Sequence, residues 1–315
     1  MTPLPFFEYS LYEMYLLFII WAFLGWCIEV CYMTIETGEY QNRGFLNGPI
    51  CPIYGFGVLM IATFFRPIND TFILLFLCSA FLCTTFELSV GLLMEAVFHN
   101  RWWDYSHEHF NYKGLICLKV SILWGLGCVF VIRIVHPLFE KLVDIAPFEV
   151  GISVIVIVSI LLIIDIIASI KAVNKLNDRL KQIDAISKKM LSISVAIGGV
   201  LAGKTNDVME DYDKLKQKTA AAAEKITDKV EEAKEASAEK TAALTAEYNE
   251  LKQKYETLLS SNGVSNRLIK AFPTLKNKKY TEALRALKYR ISPKSAEHFE
   301  LRLDEVKKHT RSKHK

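Results

Sequence analysis

Several ionisable side chains interrupt stretches of this sequence that are otherwise apolar enough to enter a lipid bilayer. Glu29 lies four residues after Gly25, and Glu87 and Glu95 flank Gly91 at the same interval. This spacing places each set on one face of an α-helix. Charges inside a membrane are costly, so such residues mark either a polar site or ion pairs that hold a helix bundle together. The sequence leaves both interpretations open.

A second feature is the stretch from Gln41 to Gly57, QNRGFLNGPICPIYGFG, which lies between two apolar runs and contains four Gly, two Pro, two Asn and one Arg. Gly and Pro predict backbone that leaves regular helix. At membrane depth such backbone persists only where protein or a wet cavity satisfies its polar groups. We therefore expect a structural loop at the functional centre of the protein. Its expected structural residues are Gly44, Gly48, Pro49, Pro52 and Gly55.

The ionisable residues of the apolar half are expected to meet near this loop. If the N-terminus lies outside the cell, they fall in the inner leaflet. An ion pair between Arg43 and a carboxylate would be the least costly way to keep them there. The candidates are Glu29, Arg43, Glu87, Glu95 and Asp104. We interpret Asp165, close to Lys171 at the end of the last apolar run, as an interfacial residue that carries less weight.

The loop HNRWWDYSHEHF, residues 99–110, offers a metal site as an alternative. His107 and His109 could supply two ligands. Its neighbouring Trp and Tyr residues are instead typical of a membrane-interface belt, and we predict no metal.

The segment GGVLAGKT, Gly198 to Thr205, matches the P-loop pattern. A P-loop needs a strand and a helix of a parallel sheet, and the residues around this match have only helical patterns. We interpret it as an accidental match at a Gly-rich break between helices, so ATP binding at Lys204 is not expected and no cofactor is predicted.

Five apolar stretches approach the about 20 residues that a transmembrane helix needs. They cover about 11–33, 50–65, 71–98, 115–135 and 150–170. The second is short and interrupted by Gly and Pro, so a re-entrant path is the alternative to a full crossing. The cluster of Lys and Arg from Lys171 to Lys181 predicts that the C-terminus is cytoplasmic and the N-terminus outside.

Residues 171–262 have no Pro and the composition of long helices, with two heptad registers that predict a coiled coil or a helical hairpin. One register contains Leu176, Ile183, Met190 and Ile197, and the other contains Thr241, Leu244, Tyr248, Leu251, Tyr255 and Leu258. Residues 264–315 carry fifteen Lys or Arg against five Asp or Glu. We interpret them as two short helices and a basic tail that is either solvated or bound to anionic lipid or an acidic partner. Nucleic acid is not the expected partner, because no recognition motif accompanies the charge.

The apolar half resembles a bacterial family of ABC-transporter permeases, type IV. The resemblance rests on GWCIEVCY (25–32), NRGFLNGPICPIYGFG (42–57), FELSVGLLMEAVFHNRWWDYS (86–106) and GLICLKVSILWG (114–125), and it covers roughly residues 10–170. It implies an integral subunit of the bacterial cytoplasmic membrane that works with a separate ATPase. It also adds Asn47 and Tyr54 to the candidate site residues.

Together these features predict an all-α protein: a polytopic bundle of about five transmembrane helices with a cytoplasmic helical extension. The expected parts are a transmembrane domain (1–170), a long helical or coiled-coil region (171–262) and a basic C-terminal segment (263–315). The expected function is that of a transport-related membrane subunit whose polar cluster binds solute or couples to a partner, without enzymatic activity. The alternative is a membrane-anchored scaffold or sensor that recruits partners or forms homo-oligomers through its coiled coil.

Overall fold

A computed structural model describes residues 9–38, 40–215, 220–261 and 263–292. Most of these residues are helical, as the sequence predicts. The helices are α1 (Leu11–Thr37), α2 (Pro52–Phe64), α3 (Phe72–Phe98), α4 (Leu118–Phe130), α5 (His136–Ile145), α6 (Phe148–Leu215), α7 (Ala220–Ser260), α8 (Val264–Ala271) and α9 (Thr281–Ile291). Four two-residue strands form two small antiparallel ladders: β1 (Asn100–Arg101) pairs with β4 (Lys276–Asn277), and β2 (Asn111–Tyr112) pairs with β3 (Ile116–Cys117).

Within the described ranges, four helical stretches are long and apolar enough to cross a membrane: Leu11–Ile35, Phe72–Phe98, Leu118–Ile145 and Phe148–Val200. The third is longer than expected, because a π-helical turn at Val131–Val135 joins α4 to α5 without ending the helix. The fourth continues well beyond the predicted limit of about Ile170 as α6.

Residues 38–66 run from one end of α1 to the other, the first half as a loop and the second half as α2. With thirteen residues, α2 is only about 20 Å long at 1.5 Å per residue. Pro52 is its first residue, a position where the missing N–H costs nothing. Contacts that trace the path are Glu29–Arg43, Ala22–Cys51 and Tyr9–Arg66. The loop therefore occupies membrane depth beside α1, where protein groups satisfy its backbone.

The chain divides into two compact units. The first contains the transmembrane helices, up to residue 177, together with the described residues 263–292. The second contains the described residues between 178 and 261. This division differs from the predicted parts 1–170, 171–262 and 263–315, because the C-terminal segment packs on the transmembrane helices.

We call residues 263–292 the docked segment. Its strand β4 pairs with β1, and the Arg267 guanidinium donates to the backbone carbonyls of Gly44 (2.8 Å) and Phe45 (2.9 Å). The rings of Phe272 and Trp102 pack edge to face with centroids 4.9 Å apart. The prediction of a solvated tail is thus wrong for this segment, whose apolar side chains bury themselves against the loops of the bundle. Residues 293–315, with the basic KKHTRSKHK, lie outside the described residues.

The second unit is an antiparallel pair formed by the later part of α6 and by α7. Arg179 donates to the carbonyl of Leu258 (2.7 Å), and Lys189 pairs with Glu247 (2.6 Å). The six residues of the predicted α7 register, Thr241 to Leu258, are all partly shielded while most of their neighbours are exposed. A helical hairpin was one of the two predicted forms; a coiled coil stays a prediction.

The P-loop match does not form a phosphate-binding loop in this structure. Gly198 and Gly199 lie inside α6, which continues to Leu215. The expected helix break at these glycines is therefore also wrong. A continuous helix bonds its own amides and leaves none to surround a phosphate.

Candidate functional site

A cavity of about 390 Å³ opens among α1–α4, the 43–53 loop and the loop that follows α3. It brings together four of the predicted site residues from separate parts of the sequence: Glu29, Arg43, Tyr54 and Glu87. The rest of its wall is largely apolar and aromatic, and Phe272 of the docked segment contributes to it. The cavity has the size and the mixture of apolar wall and few polar groups that small-molecule sites show.

Glu29 is the centre of the first polar group. Its carboxylate pairs with Arg43 Nε at 3.2 Å and accepts a hydrogen bond from the Tyr54 hydroxyl at 2.7 Å. The sequence predicts an ion pair between Arg43 and a carboxylate, and the structure identifies Glu29 as that carboxylate. Arg43 also lies over the Tyr32 ring, 5.1 Å from its centroid. Gly25 permits this arrangement, because a Cβ there would lie 2.2 Å from Cγ of Tyr54. Because Glu29 and Arg43 form an ion pair, their opposite charges cancel within the cavity.

Glu87 forms the second polar group of the cavity, on α3. The hydroxyl of Tyr105 donates to one carboxylate oxygen and the indole N–H of Trp124 to the other, each at 3.1 Å. Burial raises the pKa of Tyr105, and the nearby Glu87 raises it further, so the phenol keeps its proton and acts as a donor. Both partners of Glu87 are neutral.

Asn47 lies outside the cavity lining and connects the loop to α6. The Asn47 amide (2.9 Å) and side chain (2.8 Å) donate to Oδ1 of Asp165, and the Gly48 amide donates to Oδ2 (2.7 Å). Asp165 thus holds the loop in place, a role that the sequence analysis did not assign to it, while its interfacial position stays a prediction. A Cβ at Gly48 would lie 3.1 Å from Asp165, so the carboxylate reaches the backbone because glycine is there.

Glu95 and Asp104 also lie outside the cavity lining, where they bind the docked segment. Lys278 and Arg101 contact Glu95 at 2.7 and 3.0 Å, and the Lys276 ammonium contacts Asp104. The predicted single cluster is thus divided between a cavity, a loop anchor and a docking site.

Burial raises the pKa of Asp104, but hydrogen bonds from Lys276 and Ser106 outweigh this effect. The net pKa of the carboxyl lies below its ordinary value, so Asp104 is an anion at neutral pH.

A further polar cluster at the opposite end of α1 was not predicted. His136 accepts from the indole N–H of Trp21 (3.0 Å) and bonds the Tyr9 hydroxyl (3.1 Å), and Glu140 pairs with Arg66 (3.7 Å). The rule that singled out Glu29, an ionisable residue inside an apolar run, would also have found His136 in IRIVHPLF. Its interactions tie α1 to α5.

The sequence analysis considered His107 and His109 as possible metal ligands and predicted no metal site. In the described part of the chain, no three His, Cys, Asp or Glu side chains converge at metal-binding distance. His107 instead lies 3.9 Å from Glu108.

Residues 16–170 match the model of a protein family described as "Putative ABC-transporter type IV". The matched region contains every cavity-lining residue except Phe272. Comparisons with the curated proteins and with the solved structures found no match. Residues 16–170 of this multi-pass membrane protein are thus similar to the family described as "Putative ABC-transporter type IV".

Proposed function

We propose that this protein is a transport-related subunit of the bacterial cytoplasmic membrane, and that the cavity holding Glu29, Arg43, Tyr54 and Glu87 is its solute site. The observation that carries the proposal is the cavity itself. It places two carboxylates and one guanidinium at membrane depth in an otherwise largely apolar wall. Ionisable groups in such a place are costly to maintain, and binding a solute would account for their presence.

The same proposal gives ATP hydrolysis to a separate ATPase subunit. This assignment is supported by the position of the chain's single P-loop match inside α6, because a continuous helix leaves no backbone amides free to surround a phosphate. The similarity of residues 16–170 to the family described as "Putative ABC-transporter type IV" is consistent with such a partner. We expect no enzymatic activity of the protein's own, and the N-terminus outside with the second unit in the cytoplasm.

Isosteric substitutions test the solute site. Glu29→Gln and Glu87→Gln should each lower solute flux or solute-dependent growth, because each removes one cavity charge while keeping the side-chain shape. Glu149→Gln, an exposed carboxylate at the start of α6, is the matched control. Unchanged flux and growth in both cavity variants would contradict the proposal.

Purification in mild detergent at native expression level, followed by mass spectrometry, tests the partner. We expect a stoichiometric ATPase subunit that is lost when the 41–57 or the 99–113 loop is altered. Recovery of the protein alone, in oligomers that survive loop changes but not loss of residues 226–260, would contradict the transport proposal.

That contrary result would favour the alternative of a membrane-anchored scaffold or sensor. The observation behind this alternative is the second unit, the pair formed by the later part of α6 and by α7, which lies outside the family match. Its partly shielded register along α7 could also serve self-association or recruit a partner.

A further inference from the structure

We propose that the solute of this cavity is a small organic cation, with Glu87 as its counter-ion and the surrounding aromatic rings as its cage. This inference rests on the proposed solute site and specifies its ligand by charge and shape. No covalent step is involved.

The charge balance of the cavity is the first argument. Arg43 and Glu29 neutralise each other, while Glu87 has only the neutral donors Tyr105 and Trp124. Among the residues that the structure describes, no Lys, Arg or His forms an ion pair with Glu87. A buried carboxylate without a cation is expensive, and a positively charged ligand would supply the missing partner.

The aromatic wall is the second argument. Eight aromatic residues line the cavity: Phe45, Tyr54, Phe86, Trp102, Trp103, Tyr105, Trp124 and Phe272. Tyr54 and Trp124 meet edge to face with centroids 5.4 Å apart, and Trp124 also touches Glu87. The faces of such rings attract cations, most strongly those that carry little bound water. Alkylated ammonium groups fit this description, and cages of aromatic rings are a recurrent way of binding them.

The remaining wall argues against a hydrated inorganic ion. Side chains such as Ile50, Val58, Val90 and Met94 offer no oxygen ligands. Hard cations need several oxygens, which a cavity with two carboxylates, one of them already paired, does not supply. An ammonium group with apolar substituents satisfies both the carboxylate and the apolar wall.

Three cysteines that line the cavity, Cys51, Cys83 and Cys128, provide reporters of its occupancy. The test uses the full-length protein in nanodiscs with Cys27, Cys31, Cys78 and Cys117 replaced by Ala. Modification of the remaining thiols by the neutral reagent methyl methanethiosulfonate is followed by mass spectrometry. Tetraethylammonium is the probe, and its protection of these thiols is measured as a function of concentration.

We expect tetraethylammonium to slow the modification in a saturable way. In Glu87→Gln the concentration for half protection should rise at least about thirtyfold, the usual cost of removing one partner of a buried charge pair. Glu87→Asp, which keeps the charge, should retain most of the protection. Glu149→Gln should match the parent protein. Thermal unfolding of each variant shows that it is folded.

Phe272→Leu tests the cage independently of the counter-ion. Loss of one ring with retention of an apolar side chain should raise the half-protection concentration about threefold to thirtyfold.

Two results would overturn the inference in distinguishable ways. In the first, the thiols react with the neutral reagent, but tetraethylammonium does not protect them or protects them equally well in Glu87→Gln. The cavity would then be accessible without selecting cations. Thiols that react after unfolding, but in the native protein react neither at neutral pH nor at about pH 9.5, where more of each thiol is the reactive thiolate, would show that the cavity is inaccessible. The proposed solute site would then fail with it.

Discussion

The approach of α1 and α2 depends on one glycine. Gly25 faces the Tyr54 ring so closely that any side chain would displace it, and Tyr54 in turn holds Glu29 beside Arg43. The spacing that places Gly25 and Glu29 on one face of α1 was visible in the sequence. Its partner was not, because contacts between helices depend on how the chain folds back.

We predict that Gly25→Ala destabilises the protein by about 1–3 kcal/mol through overpacking, and lowers its melting temperature in detergent. Gly127→Ala is the matched control, because a Cβ at Gly127 meets nothing within 4 Å. It should be neutral or slightly stabilising. Equal melting temperatures of the two variants would contradict the packing that we describe.

Asp165 gives a second prediction at this scale. Its carboxylate accepts from the backbone of Asn47 and Gly48 and from the Asn47 side chain, so Asp165→Asn should cost about 2–3 kcal/mol. Ser169→Ala, which removes only the longer contacts at 3.1 and 3.3 Å, should cost about 1 kcal/mol. Thermal unfolding of both variants measures the difference. The order of the two effects is the decisive result, and the reverse order would refute the anchoring role.

Among the elements, the docked segment shows most clearly what local pattern cannot predict. Its basic composition suggested a solvated tail, yet Arg267 reaches carbonyls more than two hundred positions earlier in the chain. Local periodicity carries no information about such pairing. The segment also completes the cavity through Phe272, so its position affects the proposed solute site.

Docking of this segment should depend on Asp104. Asp104→Asn removes the charge that faces Lys276 and should weaken docking by about 2 kcal/mol. Hydrogen exchange of backbone amides in residues 264–292 should then accelerate about thirtyfold relative to wild type. Asp144→Asn, at an exposed position in α5, is the control. Unaltered exchange in Asp104→Asn would contradict the docking role.

The same carboxylate predicts a pH dependence. The pKa of Asp104 in the folded protein is lowered, so the free energy that it contributes is complete above the ordinary aspartate pKa of about 3.9. It is lost as the pH falls through the lowered value. Protease sensitivity of residues 264–292 should therefore increase on strong acidification in wild type. In Asp104→Asn this acid-dependent component should be missing.

For the whole molecule, the two compact units imply separable roles. Arg179 bonds the carbonyls of Leu258, Leu259 and Ser261, so the second unit begins and ends at neighbouring points. A short flexible linker could therefore replace most of the unit without straining the chain.

We predict that replacing residues 183–255 by a Gly/Ser linker leaves the melting temperature of the transmembrane unit within a few degrees of wild type. Transport and recovery of an ATPase should persist if the cavity is the working part. Loss of function with an intact membrane unit would instead favour the scaffold alternative. A collapse of the membrane unit itself would contradict the division into two units.

The sequence by itself determined the membrane character and the unusual backbone of the 41–57 loop. Of the five predicted apolar stretches, four are long enough helices to cross a membrane, and the second forms the short α2. These properties follow from hydropathy, from Gly and Pro chemistry and from helical periodicity, all of which act over a few residues. The Glu29–Arg43 pair was also predictable, since the two residues lie close in the chain and a membrane offers no cheaper partner for either charge.

Only the tertiary structure decided which polar residues share a site. Glu87 faces the cavity, while Glu95, on the same helix face by spacing, binds Lys278 of the docked segment. Asp165 accepts a hydrogen bond from the Asn47 amide, and His136 accepts one from the Trp21 indole. In both pairs the partners are more than a hundred positions apart in the chain. Such contacts arise from how helices and loops pack in three dimensions, and a linear pattern of residue types does not encode which of the equally spaced groups will meet.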